Sequence, residues 1–534
     1  MKNTFLSIMD SPVRNNKTFL LHYILIAVIT LAAYYPSLYH MPRSDQFIYF
    51  TNTAEQHDLL SLTVKNYAFN RMDLSYGLKD ELLFRPFIYA FLGFEKWLFG
   101  LTFFYWQLAG ILLHLTVLWF LMRLLIGIHK SWWASLLTLF LGVLFAGSEM
   151  VVWSHINGYL IFITCALIAL DQTLKVIKKK RPRVKNLLGV GLALIFAVFT
   201  HEFGVIFSFF LGIYFYSAFK SDQNTISVKK TISIIYFLPV LLYFFFSFLD
   251  FTSRNLELSA QSSFSLRHII NACSNTAATL FWWLHSGLFP SRVFTEIGQR
   301  TFMYPLYIDF SGKPSLTSLT VFQTLTSVGL ILVYLAIIAT HSTKIFMRQR
   351  WKSLCLLFCL FSFYAFIVSL GRISALGFER ILVENPYYHY FFWVFFIIFI
   401  YSLIPFDHMK VSSHTVLQTS FLALFIILII FNFRFTSKLV SMRAHKARFQ
   451  RVLNQDIQDL IKKRAKEKNF SFSIDPAINQ STYYLHWAKR DNDPDDKEYN
   501  YFKLLYPKHY KEISAEYIYT QGKNGRWGWR ETGY

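Results

Sequence analysis

The chain has 534 residues, of which 54% are hydrophobic, 19% aromatic and only 16% charged, whereas an ordinary soluble domain is about 25% charged. Its apolar residues fall in blocks of roughly 17–22, the length that crosses about 30 Å of hydrocarbon as a helix. This excludes a soluble enzyme and predicts an all-α polytopic membrane protein, because a span in lipid must satisfy its backbone within itself. The net charge of +22 sits largely in short loops and in the C-terminal tail, so it reads as a topology signal plus a solvated tail and not as nucleic-acid binding.

The pattern predicts about eleven spans, near 19–38, 103–125, 131–147, 153–172, 186–200, 203–218, 231–250, 320–340, 353–370, 387–405 and 415–433. The first reads as a retained span, not a cleaved signal, since Pro36 and aromatic residues close it and no small-residue cleavage site follows. Lys2, Arg14 and Lys17, then Arg123 and Lys130, the 178–183 cluster, Lys229 and Lys230, and Lys344 to Lys352 all fall on one side, which is then cytoplasmic. The loops 39–102, 251–319 and 371–386 and the tail share the outer face.

The first outer loop carries Asp45 a few residues beyond the first span, then Lys79-Asp80-Glu81 and Phe84-Arg85-Pro86. A carboxylate at the membrane face can act as a general base on an acceptor hydroxyl or hold a divalent metal on a phosphate; a solvated loop residue is the competing reading. The Arg85 guanidinium matches phosphate oxygens in pairs, and would equally meet a lipid headgroup. The stretch from Phe84 to Phe99 reads as an amphipathic helix lying in the interface, with Glu95 and Lys96 on its polar side. His114 in the second span reads as one half of a helix–helix hydrogen bond. His155 and Asn157 follow Trp153 at the start of the fourth span. His201 and Glu202 lie at Thr200–Gly204, where the fifth and sixth spans either meet or form one long helix. This pair would stand at the outer face near Asp45.

The loop 251–319 carries Trp282, Trp283, His285, Arg292 and Arg300, suiting a membrane-surface lid. Tyr387 to Tyr390 read as an aromatic belt, while Arg380 returns a second cation to the face that carries Arg85. The tail, 436–534, is polar; Arg443 to Lys468 has helical spacing with Val452, Ile457, Leu460 and Ile461 as its apolar stripe, and Tyr483, Tyr484, Trp487, Tyr499 and Tyr501 suggest a small aromatic module. The four cysteines, Cys165, Cys273, Cys355 and Cys359, make no disulfide framework. No Walker loop, dinucleotide fingerprint, zinc spacing or nucleophile elbow occurs.

In order along the first 210 residues, Ser44-Asp45-Gln46, Phe84-Arg85-Pro86-Phe87, Leu112-Leu113-His114-Leu115, Glu149-Met150-Val151-Val152-Trp153 and His201-Glu202-Phe203-Gly204 resemble elements of the GT-C-type integral-membrane glycosyltransferases, within them the protein O-mannosyltransferase-like branch and its bacterial relatives. The resemblance implies a GT-C-like bundle, residues 1–435, with a small extracytoplasmic tail module, in a bacterial inner membrane with the site on the periplasmic face. It implies a single displacement in which a sugar leaves a polyprenyl phosphate for an acceptor hydroxyl on a glycan, lipid or protein. Asp45 would activate that hydroxyl, and Arg85 and Arg380 would stabilise the departing phosphate. Asp80, Glu81, His155, His201 and Glu202 are supporting candidates. The family's paired acidic motif is here Asp45-Gln46, so a second carboxylate would come from Asp80 or Glu81, and divalent-metal dependence stays open; no other cofactor is implied. The tail lacks the repeat of about 34 residues of the tetratricopeptide relatives, so protein mannosylation is not carried over. Two alternatives stay open: another envelope polysaccharide polymerase or ligase, using Arg254, Arg267, His268, His285 and Arg292, and a membrane transporter.

Overall fold

The computed structural model describes residues 16–41, 49–50, 57–63, 84–129, 131–178, 184–217, 223–253, positions 269, 270, 272, 273, 275, 276, 279, 280 and 283, residues 306–308, 316–318, 356, 358–370, 387–403, 415–464, 470–475, 508–509, 511, 515–521 and 527–532. Its described part is mostly helical. Helix α1 (Asn16–Tyr34) ends in a 3-10 turn (Tyr35–Tyr39); α2 (Pro86–Phe99), α3 (Phe103–Ile128), α4 (Trp133–Val143), the short α5 (Gly147–Val152), α6 (Gly158–Lys178), α7 (Val184–Thr200), α8 (Glu202–Ser217) and α9 (Gln223–Ser253) follow. A two-stranded hairpin of β1 (Leu306–Ile308) and β2 (Leu316–Ser318) precedes α10 (Phe358–Val368), α11 (Tyr387–Leu403), α12 (Thr415–Lys446) and α13 (Arg448–Lys463).

Among the described residues, five helical stretches are long and apolar enough to cross a membrane: Lys17–Tyr39, Phe103–Ile128, Gly158–Ile177, Lys230–Leu249 and Leu422–His445. α4, α7, α8, α10 and α11 are apolar but shorter. The expected span at 320–340 lies outside the described residues, so the count of about eleven stays an expectation. Leu21, Leu25 and Val28 on α1, Phe244 and Phe248 on α9 and Ile427 and Ile430 on α12 are exposed, as suits helices whose solvent is hydrocarbon.

The core gathers α3, α4, α6 and α11 around residues such as Leu118, Leu141, Leu160 and Val394. Polar side chains join helices inside it. Gly142 O accepts from His114 Nε2 (3.2 Å), which leaves Nδ1 to accept the Tyr390 hydroxyl (2.8 Å); His114 serves helix packing. Asn432 Oδ1 accepts the Phe145 N–H (3.2 Å), and Thr436 Oγ1 donates to Val143 O (3.0 Å). Each such bond contributes roughly 0.6 kcal/mol in a membrane interior.

α7 and α8 are separate helices. The helix breaks at His201, and a Cβ at Gly204 would stand 2.4 Å from Ala197 O, so only glycine lets the two helix ends approach.

Three expectations are corrected. First, α2 turns its polar residues inward: Glu95 and Lys96 are buried, whereas Phe94, Trp97 and Leu98 are exposed. In lipid the favourable outer surface is apolar, so the amphipathic pattern inverts. Second, Trp283 is not on a surface lid; its ring is fully buried against Tyr364 (5.0 Å) and Phe392 (5.9 Å). Third, the tail stripe is displaced: Val452 is 47% exposed while Leu453, with Ile457 and Leu460, is buried.

The tail is also not wholly helical. β3 (Phe472–Ile474) pairs in parallel with β4 (Tyr517–Gln521), which pairs antiparallel with β5 (Trp527–Glu531). α13 packs on this sheet, with the Tyr519 hydroxyl donating to Asp456 (2.7 Å) and Trp529 Nε1 donating to Asp456 O (3.2 Å). α12 runs unbroken across the 435/436 division. Tyr483, Tyr484, Trp487, Tyr499 and Tyr501 lie outside the described residues.

Candidate active site

The structure brings Arg85 and Glu202 into contact, with His201 beside them. Pro86 supplies a preset φ for the first turn of α2, leaving Arg85 as its N-cap residue. Phe84, just before, packs edge-on against Phe199 (5.9 Å) and Tyr243 (5.7 Å). These contacts deliver the guanidinium to the start of α8. Arg85 Nε donates to Glu202 Oε1 at 2.6 Å, and Nη1 donates to the Tyr159 hydroxyl at 2.7 Å. Nη2 makes no hydrogen bond among the described residues. The side chains of Arg85 and Glu202 are 12% and 22% exposed. Burial alone would lower the Arg85 pKa, but the Glu202 carboxylate outweighs it and holds the guanidinium charged.

His201 sits in an aromatic box of Tyr159 (4.6 Å), Phe391 (4.9 Å) and Phe162 (5.6 Å). Its Nδ1 accepts the Phe203 N–H at 3.1 Å, which fixes the neutral tautomer with the proton on Nε2. The 3.5 Å approach of Nδ1 to Glu202 Oε2 is then a contact, not an ion pair. His201 shapes the site; Glu202 orients Arg85.

No family model matches the chain. No curated protein matches it either. Among solved structures, the archaeal oligosaccharyltransferase AglB from Archaeoglobus fulgidus, in complex with an inhibitory peptide and a dolichol-phosphate, is similar over 79% of this chain at 11% identity and a TM-score of 0.39. This chain spans 56% of the length of that one.

Asp45, Asp80, Glu81 and Arg380 lie outside the described residues. The backbone on either side of Asp45 is anchored. Met41 is buried with Leu453, Ile457 and Phe472 of the tail. Tyr49 donates its hydroxyl to Leu92 O (3.0 Å), and Phe50 packs edge-on against Trp106 (5.2 Å). Phe103 touches both groups. His155 belongs to the 3-10 turn Ser154–Ile156 before α6. Among the described residues no group of three or more His, Cys, Asp or Glu could hold a metal.

Two partners escaped the sequence reading. Tyr159, at the start of α6, is not among the residues the sequence singles out; its place one turn beyond His155 was the available signal. Glu149 forms a buried ion pair with Arg443 of α12. A carboxylate in an apolar block demands a partner, but nothing in the sequence points to one 294 positions away.

Proposed function

We propose that this protein is a membrane glycosyltransferase that moves a sugar from a polyprenyl-phosphate-linked donor to an acceptor hydroxyl at the outer membrane face. The observation that carries the reading is Arg85. Glu202 and Tyr159 occupy Nε and Nη1 and fix the plane of the guanidinium, leaving both Nη2 hydrogens for an oxygen ligand. A pre-oriented donor that strengthens its bonds as a phosphate leaves favours the transition state over the ground state.

The Arg85–Glu202 pair is neutral as a unit. It therefore supplies orientation more than charge, and Arg380 is proposed to provide the second cation. Asp45 is proposed as the base that removes the acceptor proton as the sugar–phosphate bond breaks, the proton passing to its carboxylate and the electron pair to the departing phosphate. Asp80, Glu81 and His155 are proposed to support this site, with a divalent metal compatible with the carboxylates but not required by the residues described. The donor lipid, the bilayer and a glycan, lipid or protein acceptor are the proposed partners, with the site on the periplasmic face of a bacterial inner membrane.

The test is transfer of labelled sugar from defined polyprenyl-phosphate sugars to a membrane acceptor fraction by the purified protein. Wild type should transfer label, and Asp45→Asn should lose transfer while remaining folded. A folded wild type inactive with every donor would overturn the enzyme class. Transfer undiminished in Asp45→Asn would overturn the assignment of the base.

A further inference from the structure

Along the outer face of α12, hydrocarbon gives way to cations. Ile427 and Ile430 are 60% and 59% exposed. Arg434 and Lys438, one and two turns further on, are exposed as well. The spacing keeps these four on one face, while Asn432, Thr436 and Val440 are buried on the other. The face continues into α13. Ala447 N–H donates to Arg443 O and Arg451 N–H to Ala447 O, each at 3.0 Å, so helical bonding carries through the joint. Arg448, about four whole turns beyond Arg434, is exposed in its turn.

The stretch has no acid of its own: no Asp or Glu occurs in the sequence between Asp407 and Asp456. Arg443 is paired with Glu149. Arg434, Lys438, Arg448 and Arg451 make no ion pair among the described residues. Arg451 is nevertheless held in place. Its guanidinium lies over the Tyr39 ring at 5.0 Å, and Nη2 donates to Ala444 O at 3.3 Å. Burial lowers its pKa, the Tyr39 phenol raises it, and the like charge of Arg448 lowers it again. Two cations thus stand together with no carboxylate between them.

Tyr39 ends the apolar stretch Lys17–Tyr39. It shares a hydrogen bond of 2.7 Å with Tyr35, and the two rings are 42% and 54% exposed. Next to Tyr39, His40 Nε2 meets Val440 O of α12 at 2.8 Å, two residues beyond Lys438. The ends of two apolar stretches therefore lie level. Exposed tyrosines, a lysine and arginines gather at that level, which is how a protein meets the headgroups of a bilayer. A phosphate diester accepts from guanidinium and ammonium donors, and basic residues beside a span favour anionic lipid. A zwitterionic headgroup would bring an ammonium that this cluster repels.

We propose that Arg434, Lys438, Arg448 and Arg451 form a binding surface for the headgroup phosphates of anionic phospholipids, whose acyl chains lie against Ile427 and Ile430. The surface is independent of the sugar-transfer reading, and its test uses no activity.

The purified full chain in detergent is melted with added phosphatidylglycerol or phosphatidylcholine of the same acyl chains at equal mole fraction. Tm should be higher in phosphatidylglycerol by roughly 2 °C or more, rising to saturation with lipid, and high salt should shrink the gain. Arg434→Gln/Lys438→Gln/Arg448→Gln should lose most of it, while Lys462→Gln/Lys463→Gln, at the far end of α13, should keep it. Equal Tm in the two lipids, a gain that survives the triple variant, or an equal loss in both variants overturns the surface. The same gain from glycerol phosphate alone overturns the lipid as its occupant. Should the triple variant fail to fold, acetylation of wild type in nanodiscs of each lipid decides by mass spectrometry. Lys438 should be labelled roughly fivefold more slowly in phosphatidylglycerol, with Lys462 and Lys463 unchanged; equal labelling of Lys438 in both lipids overturns the surface.

Discussion

Replacing Glu202 by Ala tests whether the Arg85 ion pair is a structural strut as well as an orienting device. The pair is 2.6 Å long and mostly buried. At an effective dielectric of about 20 the gross attraction at that distance is roughly 6 kcal/mol, and desolvation of two ions offsets a large part of it. Removing one partner leaves the other charge stranded, which costs about 3–5 kcal/mol for a fully buried pair. With 22% of Glu202 exposed, water can reach the vacated space, and about 3 kcal/mol is the expected loss. Glu202→Gln should cost about 1–2 kcal/mol, since an amide oxygen still accepts from Nε but without charge assistance. Equilibrium unfolding in mixed detergent micelles would measure both, together with Arg85→Met and the double variant Arg85→Met/Glu202→Ala. The cycle should return a coupling of about 1.5–3 kcal/mol. Additive effects within roughly 0.5 kcal/mol would refute the pair as an energetic unit, and with it the argument that Glu202 fixes the guanidinium.

Arg443→Ala should destabilise the protein by about 3–5 kcal/mol by removing the cation paired with the buried Glu149 carboxylate, and Arg443→Met combined with Glu149→Gln should recover most of that loss in the same unfolding assay. Gly204→Val should prevent folding or cost well over about 1–3 kcal/mol, because its Cβ would strike Ala197 O at 2.4 Å; unchanged expression and Tm would contradict the tight α7–α8 turn. Leu453→Asp should release the tail sheet to protease while Val452→Asp leaves it protected, and the opposite pattern would restore the stripe expected from sequence. Trp283→Ala should cost about 3–5 kcal/mol, against well under 1 kcal/mol for a residue on a surface lid.

The helices around the site were legible because hydrophobic block length is a strong signal in lipid, and the Thr200–Gly204 break marked the place where Glu202 meets Arg85. Which face of a helix looks inward was less legible. The pattern puts Glu95 and Lys96 on the polar side of α2, but only the surrounding helices turn that side inward. The stripe of α13 was displaced by one residue because Val452 and Leu453 are equally apolar, and only the tail sheet selects between them. Pairings across the sequence left no local trace: Glu149 stands within a short motif, yet its role depends on Arg443, whose helix continues past the point where the apolar block gives out.

The continuity of α12 has a consequence for how this chain can be cut and joined. Thr436 bonds Val143 O, Val440 O accepts from His40 Nε2 at 2.8 Å, and Arg443 neutralises Glu149. All three lie beyond the 435/436 division, yet their partners belong to α4, to the segment after α1 and to α5. A truncation that respects the change in composition at 435 would therefore open the membrane body at three places and remove the cation paired with Glu149. A graft that exchanges the C-terminal region for another must begin after Lys446, where α12 ends, if the helices below are to keep their own supports.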